Sequence, residues 1–290
     1  MSLDITAYVE RDSISNGGTP HVSEPGERIT TMVLKYPRYI HGEVLTHRRF
    51  SRNSASSRAI PTKKLLGQVR ESPVVPIEWG SNQSGMQAGD EIPEALQEEA
   101  RRIWITARNA AYEAASGLAE LGVHKQYVNR LLEPFLYIEV VVTSTEWDNF
   151  FRQRHSPLAQ PEIKALAVAM QEAYEQSTPE VTDTHLPFIR KDEMSLPDDV
   201  LAAVSIARSA RVSYLNRSTG SVDIAKDLEL FQRLLTAEPM HASPFEHVAT
   251  KGLNGHHYAN HVGWISSRWL LENHAVERTA WLSALQGYES

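Results

Sequence analysis

Residues 46 to 61 read THRRFSRNSASSRAIP. Arg48, Arg49, Arg52 and Arg58 alternate there with Ser51, Asn53, Ser54, Ser56 and Ser57, behind His47. Guanidinium forks, hydroxyls and the backbone N–H groups of turn-prone residues together suit an anion, phosphate above all. The plainer reading is a solvated basic loop, which is what charge runs commonly are. If the helix before it continued, His47 and Ser51, four apart, would share a face. The chain as a whole carries a net charge of −7, so this positive charge is local. A general nucleic-acid surface is not expected on that ground.

Three further groups could do chemistry. Around a strand at 137–145 stand Arg130 before it and Asn149, Arg152 and Arg154 on the helix after it. An arginine at each end of a buried strand needs an anion or an acid, and ordinary pairing with Glu133, Glu139 or Glu146 would serve. Between 210 and 248, His241, Glu246 and His247 flank a proline turn that Phe245 could pack. In GHHYANHVGW, 255–264, His257 and His261 have the i, i+4 spacing of a helical metal pair. No acidic third ligand follows at motif spacing, so core or interface histidines are preferred and no metal is expected. The chain has no cysteine, which removes disulfides, thiolate zinc ligands and thiolate nucleophiles together. GxGxxG, GxxxxGK[ST] and GxSxG are absent too.

The elements that must position these groups follow from periodicity and punctuation. Residues 10–28 read as a loop, 29–36 as a strand, and Pro37 opens a helix running to about His47. The Ser/Asn-rich stretch ends that helix by competing for backbone hydrogen bonds. Residues 71–90 read as irregular. A long helix spans about 93–121, its many alanines implying close packing against another element. A short helix at 124–132 stops before Pro134. A buried strand at 137–145 and two helices follow, the second opened by Pro161. The polar connector 177–197 is the internal boundary, with 1–176 before it and 198–290 after it. Helices near 198–212, 222–237, 260–272 and 274–285 and a turn at 239–245 complete the chain. The fold class is α/β (α+β), helix-rich with a small mixed or antiparallel sheet. With 41% hydrophobic residues, no apolar run of bilayer length and an acidic N-terminus, the expected compartment is the cytoplasm.

Taken together, the segments resemble the flavin-dependent thymidylate synthases. That family's signature is R-H-R-x-x-S-x-N-x-x-S-x-R, and His47, Arg48, Ser51, Asn53, Ser56 and Arg58 fall at its spacing. Thr46 stands where the family has arginine. Arg130, Glu133-Pro134, Arg154 and Ala159-Gln160-Pro161-Glu162-Ile163 resemble the family's second block, in which a Leu-Pro replaces Glu133-Pro134. Ala210-Arg211-Val212-Ser213-Tyr214 and Ser243-Pro244-Phe245-Glu246-His247 resemble a segment that family members carry before the signature. Here it lies after, so the resemblance implies a single domain over 1–290 in circularly permuted order, which is feasible when the original termini are close.

The resemblance implies a homotetramer with FAD held between subunits, dUMP stacked on the flavin, methylenetetrahydrofolate as one-carbon donor and NADPH as reductant. By position, His47, Arg48, Ser51, Asn53 and Asn149 would bind the cofactor. Glu43, Ser56, Arg58 and Arg130 would bind the nucleotide, and Arg154 would lie near the pyrimidine. His241 matches a histidine near flavin and folate, so Arg154 and His241 are the implied catalytic pair. Glu43 falls where the family usually has glutamine. Rival readings are hydroxymethylation of dUMP or dCMP, a non-catalytic nucleotide-binding homologue, and a metal hydrolase on His256, His257 and His261.

Overall fold

The computed structural model describes residues 4–16, 26–213, 223–274 and 281. Tyr214 and most of the helix expected at 274–285 lie outside the described residues. The centre is a five-stranded sheet in the order β3-β4-β2-β1-β5, with ranges β1 Thr6–Ile14, β2 Arg28–Pro37, β3 Ser51–Ser54, β4 Tyr137–Ser144 and β5 Glu180–Val181. All its pairings are antiparallel except β1 with β5. Val140, Val141 and Val142 are wholly buried, as a β-branched central strand requires. The expected loop at 10–28 is corrected in part, because residues 10–14 extend β1 along β2.

Pro37 is followed by a 3-10 turn at Arg38–Ile40 and a short helix, α1, His41–Leu45. The helix does end where the Ser/Asn-rich stretch begins, but Ser51 already belongs to β3. His47 and Ser51 therefore share no helical face. Two helices, α5 (Asp148–Arg154) and α6 (Pro161–Gln176), follow β4, and α6 lies across β1 and β2. Their apolar residues join Met32, Leu34, Tyr36, Phe50, Trp147 and Phe150 in the main core.

A second layer is built by α2 (Thr62–Glu71) and α3 (Glu94–Glu120), which pack with α4 (Lys125–Val128) and the 3-10 run Asn129–Phe135. α2 falls outside the sequence expectation, whereas α3 matches it. The short helix expected at 124–132 instead passes through Pro134 as 3-10 structure. On α3 only Ala115 is fully buried, and Leu96 and Ile103 are exposed on the described chain. Ala111, Ala115 and Leu118 pack against α2 and the 3-10 run, whereas Ala107 and Ala114 are exposed.

Beyond 177 the connector carries β5 and then β6 (Thr184–His185), which pairs with β7 (Ala249–Lys251). Helices α7 (Asp198–Ala210) and α8 (Ile224–Thr236) enclose a separate apolar cluster with Phe245. Arg208 lies buried there between Glu193, 2.7 Å away, and Asp227, 2.9 Å away. The helix expected at 260–272 is corrected. A hairpin of β8 (His257–Tyr258) and β9 (His261–Val262) precedes β10 (Trp264–Ser266), and α9 spans only Ser267–Asn273. In that hairpin His257 faces Val262 and His261 faces Tyr258, so the i, i+4 helical pair does not exist.

Candidate functional site

The signature segment meets three different surroundings along its length. At its start, α1 ends against Arg52. The Arg52 Nη1 donates to the carbonyls of Val44, Leu45 and His47 at 3.4, 3.1 and 2.8 Å, compensating the free carbonyls of a helix C-terminus. His47 is buried, with its ring edge-on to Phe150 at 4.8 Å between centroids. Its Nε2 accepts a hydrogen bond from Arg154 Nε at 3.0 Å, which places the ring proton on Nδ1. Burial, then the guanidinium charges of Arg154 and Arg52, push the His47 pKa down to about 4. His47 is thus a neutral acceptor at pH 7 and a positioning partner for Arg154. Thr46, the departure from the signature, donates to the Glu43 carbonyl at 2.6 Å and accepts from Arg154 Nη2 at 3.3 Å. Arg48 is exposed and has no ion pair or hydrogen bond with a described residue. The Glu43 Oε2 atom is buried and has no hydrogen-bond partner among the described residues.

The middle of the segment is β3, and alternation sends Ser51 and Asn53 to one side. Both are taken by the C-terminal part of the chain. Ser51 Oγ accepts from Asn260 at 3.3 Å, while Asn53 donates to the Ser209 carbonyl at 2.7 Å and accepts from Ser243 Oγ at 3.3 Å. The block around Ser243-Pro244-Phe245 therefore docks directly on the signature strand.

The end of the segment folds over the 3-10 run 129–135. Glu133 Oε1 accepts from Ser57 Oγ at 2.6 Å and pairs with Arg38 at 3.0 Å and Arg130 at 2.9 Å. Buried Asn129 fixes the loop by donating to the carbonyls of Ser57 and Ile60. Pairing of Arg130 with Glu133 is the plainer of the two sequence readings. Two guanidiniums share one carboxylate, so the cluster stays positive. Arg58 is exposed beside it and pairs with no described residue; Ser56 is exposed on the same loop.

The remaining predicted residues lie apart from these contacts. Asn149 is exposed on α5 and its Oδ1 accepts from Arg152 and Gln153. His241 is exposed, and among the described residues its backbone N–H is engaged by the Leu234 carbonyl. Sequence reasoning missed Arg38 and gave Arg52 no role of its own. The signal for Arg38 was its place directly after Pro37, on the turn that leaves β2. No group of three His, Cys, Asp or Glu among the described residues could hold a metal ion. Among the same residues, no helix is long and apolar enough to cross a membrane.

Among solved structures, the chain resembles the UMP/dUMP methylase PolB from Streptomyces cacaoi bound with 5-Br dUMP, at 16% identity and a TM-score of 0.45, over 60% of this chain and 90% of that one. The same protein bound with 5-Br UMP aligns with a TM-score of 0.44 at 16% identity, over 60% of this chain and 89% of that one. No curated protein matches the sequence. The family model of the thymidylate synthase complementing protein matches residues 25–180, which include the signature, Arg130 and Arg154. That match covers more than half of the chain, which therefore belongs to the thymidylate synthase complementing protein family, a family of flavin-dependent, methyltransferase-like enzymes.

Proposed function

We propose that the protein transfers a one-carbon unit from methylenetetrahydrofolate to C5 of dUMP, with reduced FAD as hydride source and NADPH as reductant. The observation that carries this reading is the division of one short segment. Arg48 at one end and Arg58 at the other are exposed cations without partners among the described residues, on a scaffold fixed by Arg52, Asn53 and Asn129. Two free guanidiniums suit two phosphate-bearing ligands. Arg48 would hold the cofactor's diphosphate. Arg58 with Arg130 and Ser56 would hold the nucleotide phosphate. Arg154, held by neutral His47, keeps a guanidinium fixed to stabilise negative charge on the pyrimidine oxygens. The flavin supplies a hydride, and with it an alternative to the cysteine thiolate that this chain lacks. Ser51 and Asn53 each make a contact within the chain, which supports a part for them in building the cofactor side of the site.

His241 and Asn149 are exposed, and a contact with cofactor from either would come from the surface of one subunit toward another. Leu96 and Ile103 on α3 are apolar surface available to such an assembly. A homotetramer with the site between subunits accommodates both. The docking of Ser209 and Ser243 on Asn53 supports one domain whose blocks stand in permuted order.

The test is an absorbance spectrum of the purified protein before and after dUMP. The expected result is a flavin spectrum that dUMP perturbs; a colourless protein that gains no flavin on reconstitution would overturn the assignment. Glu43 favours one second reading. A carboxylate accepts hydrogen bonds but cannot donate, and its buried Oε2 suits the exocyclic amine of a cytosine better than the O4 of a uracil. Turnover of dCMP rather than dUMP, with a product heavier by a hydroxymethyl rather than a methyl group, would establish that alternative by mass.

A further inference from the structure

The β8–β9 hairpin, the start of β3 and the first turns of α9 line a cavity of about 220 Å³, apart from the arginines assigned to the two phosphates. Its walls differ from the arginine-rich ends of the signature. Glu246 and Glu272 both pair with Arg268, each through Oε1, so two carboxylates face one guanidinium. The Oε2 atom of each has no hydrogen bond with a described residue. Trp269 contributes an indole wall, its ring edge-on to Tyr258 at 5.4 Å. On the inner side, His261 is 1% exposed and neither of its ring nitrogens has a well-formed hydrogen bond with a described residue. One ring nitrogen meets the Thr143 backbone in a poorly formed contact, and a buried polar group left short of partners costs free energy, so the free valence points to something that fills it. Burial drives the His261 pKa down to about 4, the backbone of Thr143 opposing the shift, so the ring offers one donor and one acceptor at pH 7.

Acceptors in excess at the rim, an aromatic wall and a neutral donor–acceptor pair at the floor select a flat molecule rich in N–H donors. The volume is below the ~300–1,000 Å³ typical of sites for drug-sized ligands, which suits one ring system and not a whole nucleotide. We propose that this cavity binds the amidine-like edge of a 2-amino-4-oxo heterocycle, an exocyclic amino group beside a ring N–H. The two donors go to the free oxygens of Glu246 and Glu272, the ring lies against Trp269, and a ring nitrogen or carbonyl meets His261. Two sources carry that edge: a guanine nucleoside and a pterin. The pterin source rests on the folate-dependent reading above; the guanine source does not.

Calorimetry on the full chain separates them. Guanosine and 6-hydroxymethylpterin are titrated in parallel with inosine and 6-hydroxymethyllumazine, which lack the 2-amino group. One of the first two binds at one site per chain, and its deaminated counterpart binds about tenfold or more weakly. Glu246→Gln and Glu272→Gln each weaken binding by a similar factor, and both leave the core packing untouched should Trp269→Ala fail to fold. Binding by neither ligand overturns the proposal, as does equal binding of the deaminated counterpart or unchanged affinity in both glutamine variants. Pterin binding alone makes the cavity the seat of the one-carbon donor's head group, and guanosine binding alone makes it a second nucleoside site. Perturbation of the flavin spectrum by dUMP depends on Arg58 and not on this cavity, so the two readings fail separately.

Discussion

Arg58 and Glu133 show how single side chains set the charge of the site. Arg58 is exposed and has no partner among the described residues, so removing it takes nothing from the fold. Arg58→Ala is expected to raise the dUMP dissociation constant about tenfold or more, the loss of one charge-assisted hydrogen bond, with thermal stability within about 0.5 kcal/mol of the parent. Unchanged affinity in a dUMP titration would remove Arg58 from the nucleotide site. Glu133 works in the opposite sense. It ties Ser57, Arg38 and Arg130 to one oxygen and so competes with any phosphate for two guanidiniums. Glu133→Gln keeps an acceptor for Ser57 but releases charge, so dUMP is expected to bind more tightly while stability falls by about 1 kcal/mol. Weaker dUMP binding in that variant would mean that Glu133 organises the arginines rather than competing for them.

At the scale of elements, the short helix α1 and strand β3 depend on each other through Arg52. Its guanidinium is half-buried and collects three carbonyls from the end of α1, so one side chain closes the helix and fixes where β3 starts. Arg52→Met preserves the stem and removes the donors; it is expected to cost about 2 kcal/mol, read as a lower urea midpoint at constant slope. The same junction shows what the residues disclosed and what they hid. The anion chemistry of 46–58 is legible because arginine, serine and asparagine spacing reports it directly. The strand inside it is not, because Ser-Arg-Asn-Ser has little intrinsic preference for extended structure. β3 forms because it pairs with β4, whose Val140 to Val142 are fully buried, a tertiary demand that overrides local propensity. α3 was legible from end to end since 27 residues of helical periodicity leave little ambiguity. His257 and His261 misled for a geometric reason. Residues four apart share a helix face, but a tight hairpin brings Tyr258 opposite His261 just as readily. The polar stretch ERDSI was hidden likewise, since its strand is fixed by pairing with β2 and not by an apolar pattern.

Across the whole molecule, the C-terminal third is fastened to the sheet by buried polar groups rather than by apolar contact alone. Thr31 and Thr143 stand opposite each other on β2 and β4 with hydroxyls 2.6 Å apart. Thr31 bonds His185 at 2.7 Å, Thr143 bonds His247 at 2.8 Å, and His185 continues to Ser13 at 2.9 Å. His185 and His247, both from beyond residue 177, are fully enclosed and His261 almost so. Burial pushes the pKa of His247 to about 3 and that of His261 to about 4, and holds His185 well below the usual range, where Arg11 adds repulsion. In the unfolded chain each titrates near ~6.5, so on acidification the unfolded state takes up protons that the folded state refuses. Their contribution is complete above about pH 6.5 and is lost as pH falls toward the folded values. Each group can remove ~1.4 kcal/mol per pH unit in that window, about 4 kcal/mol per unit for the three together. Against a total stability of ~5–15 kcal/mol, the fold is expected to unfold cooperatively between about pH 5 and about pH 3. Acid unfolding followed by tryptophan fluorescence measures this, with His261→Leu shifting the midpoint to lower pH because one of the three proton acceptors is gone. A chain that stays native below about pH 3, or a His261→Leu midpoint that does not move, would mean that these histidines can be protonated in place, and the joint between sheet and C-terminal third would then tolerate charge.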